Sequence, residues 1–174
     1  QLLAKGENYE NYYYSPTQEP QATNDEIKTE YYIKNGIVAT YINSQLKQWV
    51  NYNTNEIIVL MQNNNQNSFV SSNNVERIQN TQNGVDYSEI IDNNYKYKYL
   101  GEKDFQHRKA IYIELRKDNI VKQFIIDKKS GLILESKLGI KKFGFITVNL
   151  VKSKENIKFD IVLDENVKKP ILNN

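Results

Sequence analysis

The sequence predicts a mainly β fold of the α+β class, in which one curved antiparallel sheet forms an open half-barrel with short helices on its concave side. Short runs of Tyr, Ile and Val alternate with Asn, Asp and Gly, which is typical of strands joined by tight turns. Helical spacing is confined to the N-terminal Leu2-Leu3 segment and to residues 63–94. A sheet with one apolar face needs other elements that bury this face, and these two segments are the predicted helical elements that can pack there. A two-sheet sandwich is the alternative arrangement.

Length and composition set the limits of this fold. The 174 residues, 39% hydrophobic and 25% charged, suit a single domain over residues 1–174 that ends in a tail over 164–174. A chain of this size buries roughly 70% of the surface that it exposes when unfolded, so its core needs no disulfide and no metal. The absence of cysteine excludes thiol nucleophiles, thiolate zinc sites, iron–sulfur clusters and disulfides. The net charge of +2 argues against nucleic acid as the main partner.

Turn residues place the strands along the chain. Asn35-Gly36 tolerates the positive φ angles of a type I′ turn and predicts a hairpin between residues 27–33 and 37–42. The asparagines of residues 52–55 favour a second turn, because their side chains bond to nearby backbone. About ten strands follow from such signals. The predicted strands are 27–33, 37–42, 46–50, 56–61, 95–99, 110–116, 120–127, 132–136, 143–151 and 157–163.

Residues 63–94 interrupt this series. An asparagine-rich patch opens the segment, and the apolar residues after it have irregular spacing. Ser72 is a candidate helix cap for residues 72–79, and Tyr87, Ile90 and Ile91 have helical spacing. The segment is too long for a hairpin loop, so we expect a helical or loop insertion that packs against the sheet as a lid or plug.

The strand that follows has the clearest alternation. Tyr95, Tyr97 and Tyr99 alternate with Lys96 and Lys98. Because successive side chains of a strand point to opposite sides, this pattern predicts three rings on one face and two ammonium groups on the other.

No set of residues predicts catalysis. His107 is the only histidine, and in a polar loop such a residue is more often solvated than a general base. One histidine without cysteine cannot form the usual zinc site. The glycines and lysines of residues 139–144 lack the spacing of a phosphate loop and suit a bend in a strand. We therefore expect no enzyme activity, no metal and no cofactor.

An apolar groove is an alternative kind of site. Trp49, Ile57, Val59 and Met61 lie on two consecutive predicted strands. Core packing is the simpler explanation, but the same residues could line a groove for an acyl chain or for an apolar segment of a partner. The lysines, arginines and tyrosines of the second half leave RNA, single-stranded DNA, anionic lipid and an acidic protein surface as further binding alternatives.

Several stretches together resemble a known family. In the first half they are EYYIKNG at 30–36 and QWVNYNTNEIIVLM at 48–61. In the second half they are YKYLGEK at 97–103, AIYIE at 110–114 and FIIDKKSGLILE at 124–135, the last with a strand, an Asp-to-Gly turn and a returning strand. Over residues 5–163 this order resembles the LolA/LolB-like lipoprotein-localisation superfamily. Its motifs are strands and turns, so they indicate a fold more than a function.

Within that superfamily, the Asn- and Lys-rich, Ala-poor composition resembles the GerS group of clostridial spore germination lipoproteins. This resemblance implies a non-catalytic extracytoplasmic domain of the spore envelope that binds and supports a cortex peptidoglycan amidase. It also implies a lipid anchor in a membrane, and we expect the anchor cysteine to precede Gln1. Resemblance to the LolA branch implies instead a carrier of lipid acyl chains, or of another hydrophobic ligand, in the concave cavity.

A domain that binds a protein without catalytic groups depends on a few aromatic or arginine anchors. Tyr97, Tyr99, Arg108 and Arg116 fit this role by residue type and position. The edge strands of an open sheet can also pair between chains, so a homodimer formed by strand pairing or exchange is an alternative.

Overall fold

The computed structural model describes residues 1–19, 27–63, 66–72, 87–92, 94–141, 148–150 and 156–167. Along these residues the helices are α1 (Leu2–Glu7) and α2 (Tyr87–Asp92). The strands are β1 (Tyr12–Glu19), β2 (Thr29–Lys34), β3 (Ile37–Ile42), β4 (Gln45–Asn51), β5 (Glu56–Asn63), β6 (Gln66–Ser72), β7 (Lys96–Phe105), β8 (Arg108–Lys117), β9 (Ile120–Asp127), β10 (Ile133–Lys141), β11 (Val148–Leu150) and β12 (Asn156–Leu163). A 3₁₀ turn (Asp164–Asn166) follows β12.

The chain divides into two compact units. The first unit consists of Gln1–Tyr9, Thr17–Glu26 and Tyr87–Phe159, and the second consists of Glu10–Pro16, Ile27–Asp86 and Asp160–Asn174. Both helices and strands β7–β10 belong to the first unit, and strands β2–β6 belong to the second. Hydrogen bonds join the strands in the order β6-β5-β4-β3-β2-β1-β12-β10-β9-β8-β7, with β11 beside β10.

The strand pairing confirms the predicted mainly β, antiparallel fold. Asn35 and Gly36 have φ angles of 51° and 76°, both positive as a type I′ turn requires, and β2 pairs with β3 around them. The Asn53 side chain supports this turn by donating a 2.7 Å hydrogen bond to the carbonyl oxygen of Asn35. The half-barrel curvature, the position of the helices on a concave side and the single domain over residues 1–174 stay predictions.

The prediction of helix or loop for residues 63–94 is wrong for Gln66–Ser72, which form β6 and pair with β5 in antiparallel register. Strand formation depends on the neighbouring strand, and β5 supplies backbone partners that the sequence of β6 does not reveal. The predicted helix at Tyr87 and Ile90 is confirmed as α2. The predicted helix over 72–79 lies outside the described residues apart from Ser72, as does most of the predicted strand over 143–151.

An aromatic core lies on one side of the sheet in the second unit. The strand register places five of its residues side by side on neighbouring strands, namely Tyr13, Tyr32, Ala39, Trp49 and Ile58. The ring centroids of Tyr13 and Tyr32 are 4.9 Å apart. Val167, which follows the 3₁₀ turn, is buried in the same cluster. The predicted tail over 164–174 therefore contributes at least one side chain to this core.

Two glycines allow α1 to lie against the turn between β9 and β10 in the first unit. A Cβ atom at Gly6 would lie 2.1 Å from the carbonyl oxygen of Gly131, and one at Gly131 would lie 2.1 Å from that of Leu2. The turn is closed by Asp127, whose carboxylate accepts hydrogen bonds from the backbone N–H and the hydroxyl of Ser130. Helix α2 also contacts α1, so both helices and this turn pack together.

Candidate functional site

The sheet of the first unit has two faces that differ in chemistry. Paired residues on neighbouring strands point to the same side of a sheet. Tyr97 pairs with Leu115. Tyr99 pairs with Ile113, and these four side chains define what we call the tyrosine face. Lys98 pairs with Glu114 and lies on the opposite side, as the alternation of rings and ammonium groups predicts.

A β-bulge changes which residues of β7 point to each side. The register of β7 against β8 shifts between Tyr99 and Gly101, so the alternation reverses beyond this point. Lys103 is thereby placed on the same side as Lys98. The Lys103 ammonium lies 4.9 Å from the ring centroid of Tyr112, which belongs to that side as well.

The tyrosine face exposes two aromatic rings. Tyr97 is 55% exposed and Tyr99 is 61% exposed. The Tyr97 hydroxyl donates a 3.2 Å hydrogen bond to the carbonyl oxygen of Ile90, so α2 lies beside this ring. Ile91 of the same helix is also exposed. Protein interfaces are enriched in exposed aromatic side chains of this kind, and an aliphatic side chain on a neighbouring element can add apolar contact area.

Cationic side chains border the tyrosine face. Lys122 pairs with Leu115 and therefore lies on this face. Its ammonium is 6.0 Å from the ring centroid of Tyr95, and the Lys117 ammonium is 5.8 Å from the same ring. Ile120 is exposed close by along the chain. Aromatic, aliphatic and cationic groups thus occur together along this border.

The structure does not bring Arg108 and Arg116 together with the two tyrosines. Arg116 pairs with Lys96, which places it on the opposite side of the sheet. Its Nε atom donates a hydrogen bond to the Glu114 carboxylate. The Arg108 guanidinium lies 3.8 Å from the Asp127 carboxylate on that same side. The two predicted tyrosine anchors therefore lie on one side of the sheet and the two predicted arginine anchors on the other. Both arginines interact with carboxylates of this chain.

The side opposite the tyrosine face is called the lysine face. Its cationic residues come from four strands and are Lys96, Lys98, Lys103, Arg108, Arg116, Lys137 and Lys158. Its acidic residues among the described side chains are Glu114, Asp127, Glu135 and Asp160, the last of which lies two residues after Lys158 on the same side of β12. Glu114, Asp127 and Glu135 are buried, whereas Asp160 and four of the lysines, Lys96, Lys98, Lys103 and Lys158, are exposed. The surface that solvent meets is therefore cationic.

Glu114 lies at the centre of a hydrogen-bond network beneath this surface. Its side chain is 4% exposed and accepts hydrogen bonds from Arg116 Nε and, at 2.8 Å, from Gln123 Nε2. The Tyr112 hydroxyl donates to the side-chain oxygen of Gln123. Burial alone raises the pKa of the Glu114 carboxyl, but the hydrogen bonds from Gln123 and Arg116 and the charges of Arg116 and Lys98 bring it below its ordinary value. The buried group is therefore held as a carboxylate.

The four predicted groove residues do not share one face. Trp49 pairs with Ile58, whereas Ile57 and Val59 point to the other side of β5. Trp49 is 1% exposed and lies in the aromatic core, and Ile57 is buried as well. Met61 belongs to β5, but its side chain lies outside the described residues. Side-chain packing accounts for the position of Trp49.

A buried carboxylate among tyrosines in the second unit was missed by the sequence reasoning. Glu30 is buried and accepts hydrogen bonds from the hydroxyls of Tyr13 at 2.8 Å and Tyr32 at 3.4 Å. Burial and the hydrogen bond to Glu30 raise the pKa of the Tyr13 hydroxyl well above its usual range. Burial and the Glu30 charge raise the pKa of Tyr32 to about 12. A glutamate inside an otherwise apolar, tyrosine-rich strand is the signal that could have identified it.

His107 lies where the sequence predicts a polar turn. His107 is exposed in the turn between β7 and β8 and has a positive φ of 60°. In the described part of the chain, no group of three or more His, Asp or Glu side chains could hold a metal ion. None of the described helices has the length and apolar character needed to cross a membrane.

Sequence comparisons give one distant match. No protein-family model matches the chain. The protein named Probable polyketide synthase 6 from Dictyostelium discoideum is 28% identical over 134 residues, which is 75% of this chain. The match covers only 4% of that protein, so the chain spans a small fraction of the length of this relative.

Structure comparisons return solved proteins at low sequence identity. A crystal structure of MucB aligns with 97% of this chain and 57% of its own, at 14% identity and a TM-score of 0.48. The MucA/MucB complex from Pseudomonas aeruginosa aligns with 92% of this chain and 54% of its own, at 14% identity and 0.45. An outer membrane lipoprotein-sorting protein domain from Vibrio parahaemolyticus aligns with 97% and 91%, at 9% identity and 0.31. The assignment of the fold rests on the strand order and register described above.

Proposed function

We propose that the chain is a non-catalytic binding domain that holds a protein partner on its tyrosine face. The observation that carries the proposal is the exposure of Tyr97 and Tyr99 on the same side of β7, 55% and 61% respectively. Tyrosine contributes a large contact area with few rotatable bonds, and it is enriched among residues that dominate binding energy. A partner that covers these two rings gains apolar burial that the exposed strand lacks.

The identity of the partner follows from the resemblance to germination lipoproteins. A cortex peptidoglycan amidase is the first partner to test, with the domain held outside the cytoplasmic membrane by a lipid anchor in the spore envelope. On this proposal the domain supplies a binding surface and the partner supplies the chemistry. Loss of partner binding and loss of amidase catalysis can therefore be measured separately, because on this proposal the domain does not contact the substrate of the amidase.

The test is the affinity of a purified partner for tyrosine-face variants. The partner is first recovered from cells of the source by affinity capture and identified by mass spectrometry, and its dissociation constant is then measured with purified components. We expect the double substitution Tyr97→Ala and Tyr99→Ala to weaken binding at least tenfold, because removing an interface anchor costs about 1–2 kcal/mol or more. Ile27→Ala is the matched control, since Ile27 is 72% exposed but lies in the second unit.

The outcomes separate the parts of the proposal. Recovery of an amidase with tyrosine-dependent affinity supports both the surface and the partner. Recovery of another protein with the same dependence supports the surface and rejects the amidase. An affinity that the tyrosine substitutions leave unchanged rejects the surface. Native mass spectrometry of the same preparation reports whether the chain forms a homodimer, for which the edges of β6 and β7 are the candidate surfaces.

A hydrophobic-ligand carrier is the second candidate, and one observation favours it. Trp49 Nε1 is buried, and no hydrogen-bond acceptor for it occurs among the described residues. Buried N–H groups are nearly always paired, so a polar group of a bound ligand could serve as the acceptor. Acyl lipid that co-purifies with the chain in the absence of a protein partner would replace the first proposal with this one.

A further inference from the structure

The lysine face carries more positive charge than the net charge of the whole chain indicates. Among the described side chains it carries seven cationic residues against four acidic ones, whereas the whole chain has a net charge of only +2. Burial hides three of the four carboxylates, since Glu114, Asp127 and Glu135 are at most 5% exposed, whereas one acidic residue, Asp160, and four lysines are exposed. A ligand that approaches this face therefore meets ammonium groups first.

We propose that the lysine face docks onto the surface of an anionic lipid bilayer. The cations are spread widely: four strand spacings separate β7 from β12, a distance of about 19 Å. Lys96 and Lys103 are separated along β7 by a further distance of about 20 Å. An array of this width suits many separate anions, such as lipid headgroups, better than a single phosphate.

The residue types favour lipid over an acidic protein surface. Lysine is depleted at the centre of protein interfaces, where arginine and aromatic residues are enriched. On the lysine face the aromatic groups are covered, because the Lys103 ammonium lies 4.9 Å from the ring centroid of Tyr112 and 5.6 Å from that of Phe105. Arg116 is engaged by Glu114. The exposed lysines have flexible stems and act as point charges, which suits mobile headgroups.

The experiment measures the binding of the full chain to lipid vesicles. Sedimentation is compared for vesicles of phosphatidylcholine alone and for vesicles that contain about 30% phosphatidylserine. Each lysine near an anionic surface improves partitioning by about fivefold, so we expect binding to the anionic vesicles at least tenfold above the neutral ones. About 0.5 M salt should abolish the difference, because it screens these charges.

Charge-reversal variants locate the surface. Lys96→Glu, Lys98→Glu and Lys103→Glu together should weaken anionic-vesicle binding at least tenfold. Lys5→Glu, Lys34→Glu and Lys117→Glu change the net charge equally at exposed positions that do not belong to the lysine face, and this control should retain binding. Replacing Lys96, Lys98 and Lys103 by Gln removes the positive charges without adding negative ones. Circular dichroism tests whether the Glu and Gln variants are folded.

Three results would overturn the proposal. Equal binding to neutral and anionic vesicles would indicate apolar insertion. An equal loss in both triple variants would indicate an effect of net charge. Binding to an acidic protein or to nucleic acid, with no binding to anionic vesicles, would assign the lysine face to another class of ligand.

Discussion

The Glu30 carboxylate lies buried between two tyrosine hydroxyls, which makes the second unit sensitive to alkaline pH. It accepts hydrogen bonds from Tyr13 and Tyr32 and lies 3.6 Å from the Lys28 ammonium. Ionisation of either tyrosine would place a second negative charge beside the first and replace a hydrogen-bond donor by an acceptor. The folded chain therefore holds these phenolic protons more tightly than the unfolded chain does.

The pH dependence of stability follows from the pKa of Tyr32. This pKa is about 12 in the folded chain, against an ordinary value of 10.0. A raised pKa stabilises the fold fully below pH 10, and this contribution is lost as the pH rises from 10 toward 12. We expect the free energy of unfolding in urea to fall over that range, and Tyr32→Phe to reduce the fall. An identical decline in this variant, or a decline that begins well below pH 10, would contradict the assignment.

The Asp127 carboxylate holds the turn between β9 and β10. Its Oδ2 atom accepts hydrogen bonds from the Ser130 hydroxyl at 2.6 Å and from the Ser130 N–H at 3.1 Å, and the Ser130 hydroxyl oxygen accepts one from the Leu132 N–H. Asp127 and Ser130 are both buried, so loss of the carboxylate leaves polar groups without water to replace it.

We therefore expect Asp127→Ala to lower the free energy of unfolding by about 2–4 kcal/mol. Asp104→Ala is the matched control, because its carboxylate forms an exposed ion pair with Lys109 and exposed pairs contribute little to stability. Chemical denaturation of both variants measures the difference. Similar losses in the two would show that the turn does not depend on the buried carboxylate.

At the scale of elements, helix α1 depends on the absence of two Cβ atoms. Gly131 has a φ of +78°, and a Cβ atom there would lie 2.1 Å from the Leu2 carbonyl oxygen and 2.6 Å from the Gly6 nitrogen. These neighbours are backbone atoms, so they cannot move aside without displacing the helix. An alanine thus combines left-handed backbone strain with a steric overlap.

Gly131→Ala should destabilise the chain by about 2–3 kcal/mol and release α1. Hydrogen exchange followed by mass spectrometry should show loss of protection over Leu2–Glu7. Gly101→Ala is the control, because Gly101 also has a positive φ but a Cβ atom there would meet nothing within 4 Å. This control should lose some stability and keep α1 protected. Retained protection of α1 in Gly131→Ala would show that the position of this helix does not depend on the close approach at Gly131.

The elements that sequence predicts well are those whose cause is local. Asn35-Gly36 predicts its hairpin because the two residues by themselves favour the positive φ angles of the turn. Likewise, Tyr97 and Lys98 point to opposite sides because alternation is a property of one strand. Such features need no information about distant parts of the chain.

The features that sequence misses depend on how strands pair. The bulge at Tyr99 and Gly101 brings Lys103 onto the lysine face, although simple alternation would place it with the tyrosines. Trp49 and Ile57 fall on different faces because the register between β4 and β5 pairs Trp49 with Ile58. A one-residue change of register reverses the face of every residue in a strand. Candidate sites that span two strands are therefore less predictable than single-strand patterns.

At the scale of the whole molecule, the two surfaces proposed for the first unit lie on opposite sides of one sheet. A net charge of +2 spread evenly over the chain would support neither strong steering nor strong lipid binding. The pairing of β7 with β8 instead separates exposed rings from exposed ammonium groups. A sheet arranged in this way can hold a partner on one side while the other side meets a bilayer.

Binding to the protein partner and binding to anionic vesicles should consequently be lost in different variants, and the unaltered chain should bind both at the same time. Tyr97→Ala with Tyr99→Ala should lower the affinity for the protein partner and leave binding to vesicles containing about 30% phosphatidylserine unchanged, because these residues lie off the lysine face. The glutamate substitutions at Lys96, Lys98 and Lys103 should do the reverse. In a sedimentation assay, the purified partner should reach anionic vesicles only when the unaltered chain is present. Loss of both activities in either variant would instead indicate one shared surface, since each side of a strand presents a different set of side chains.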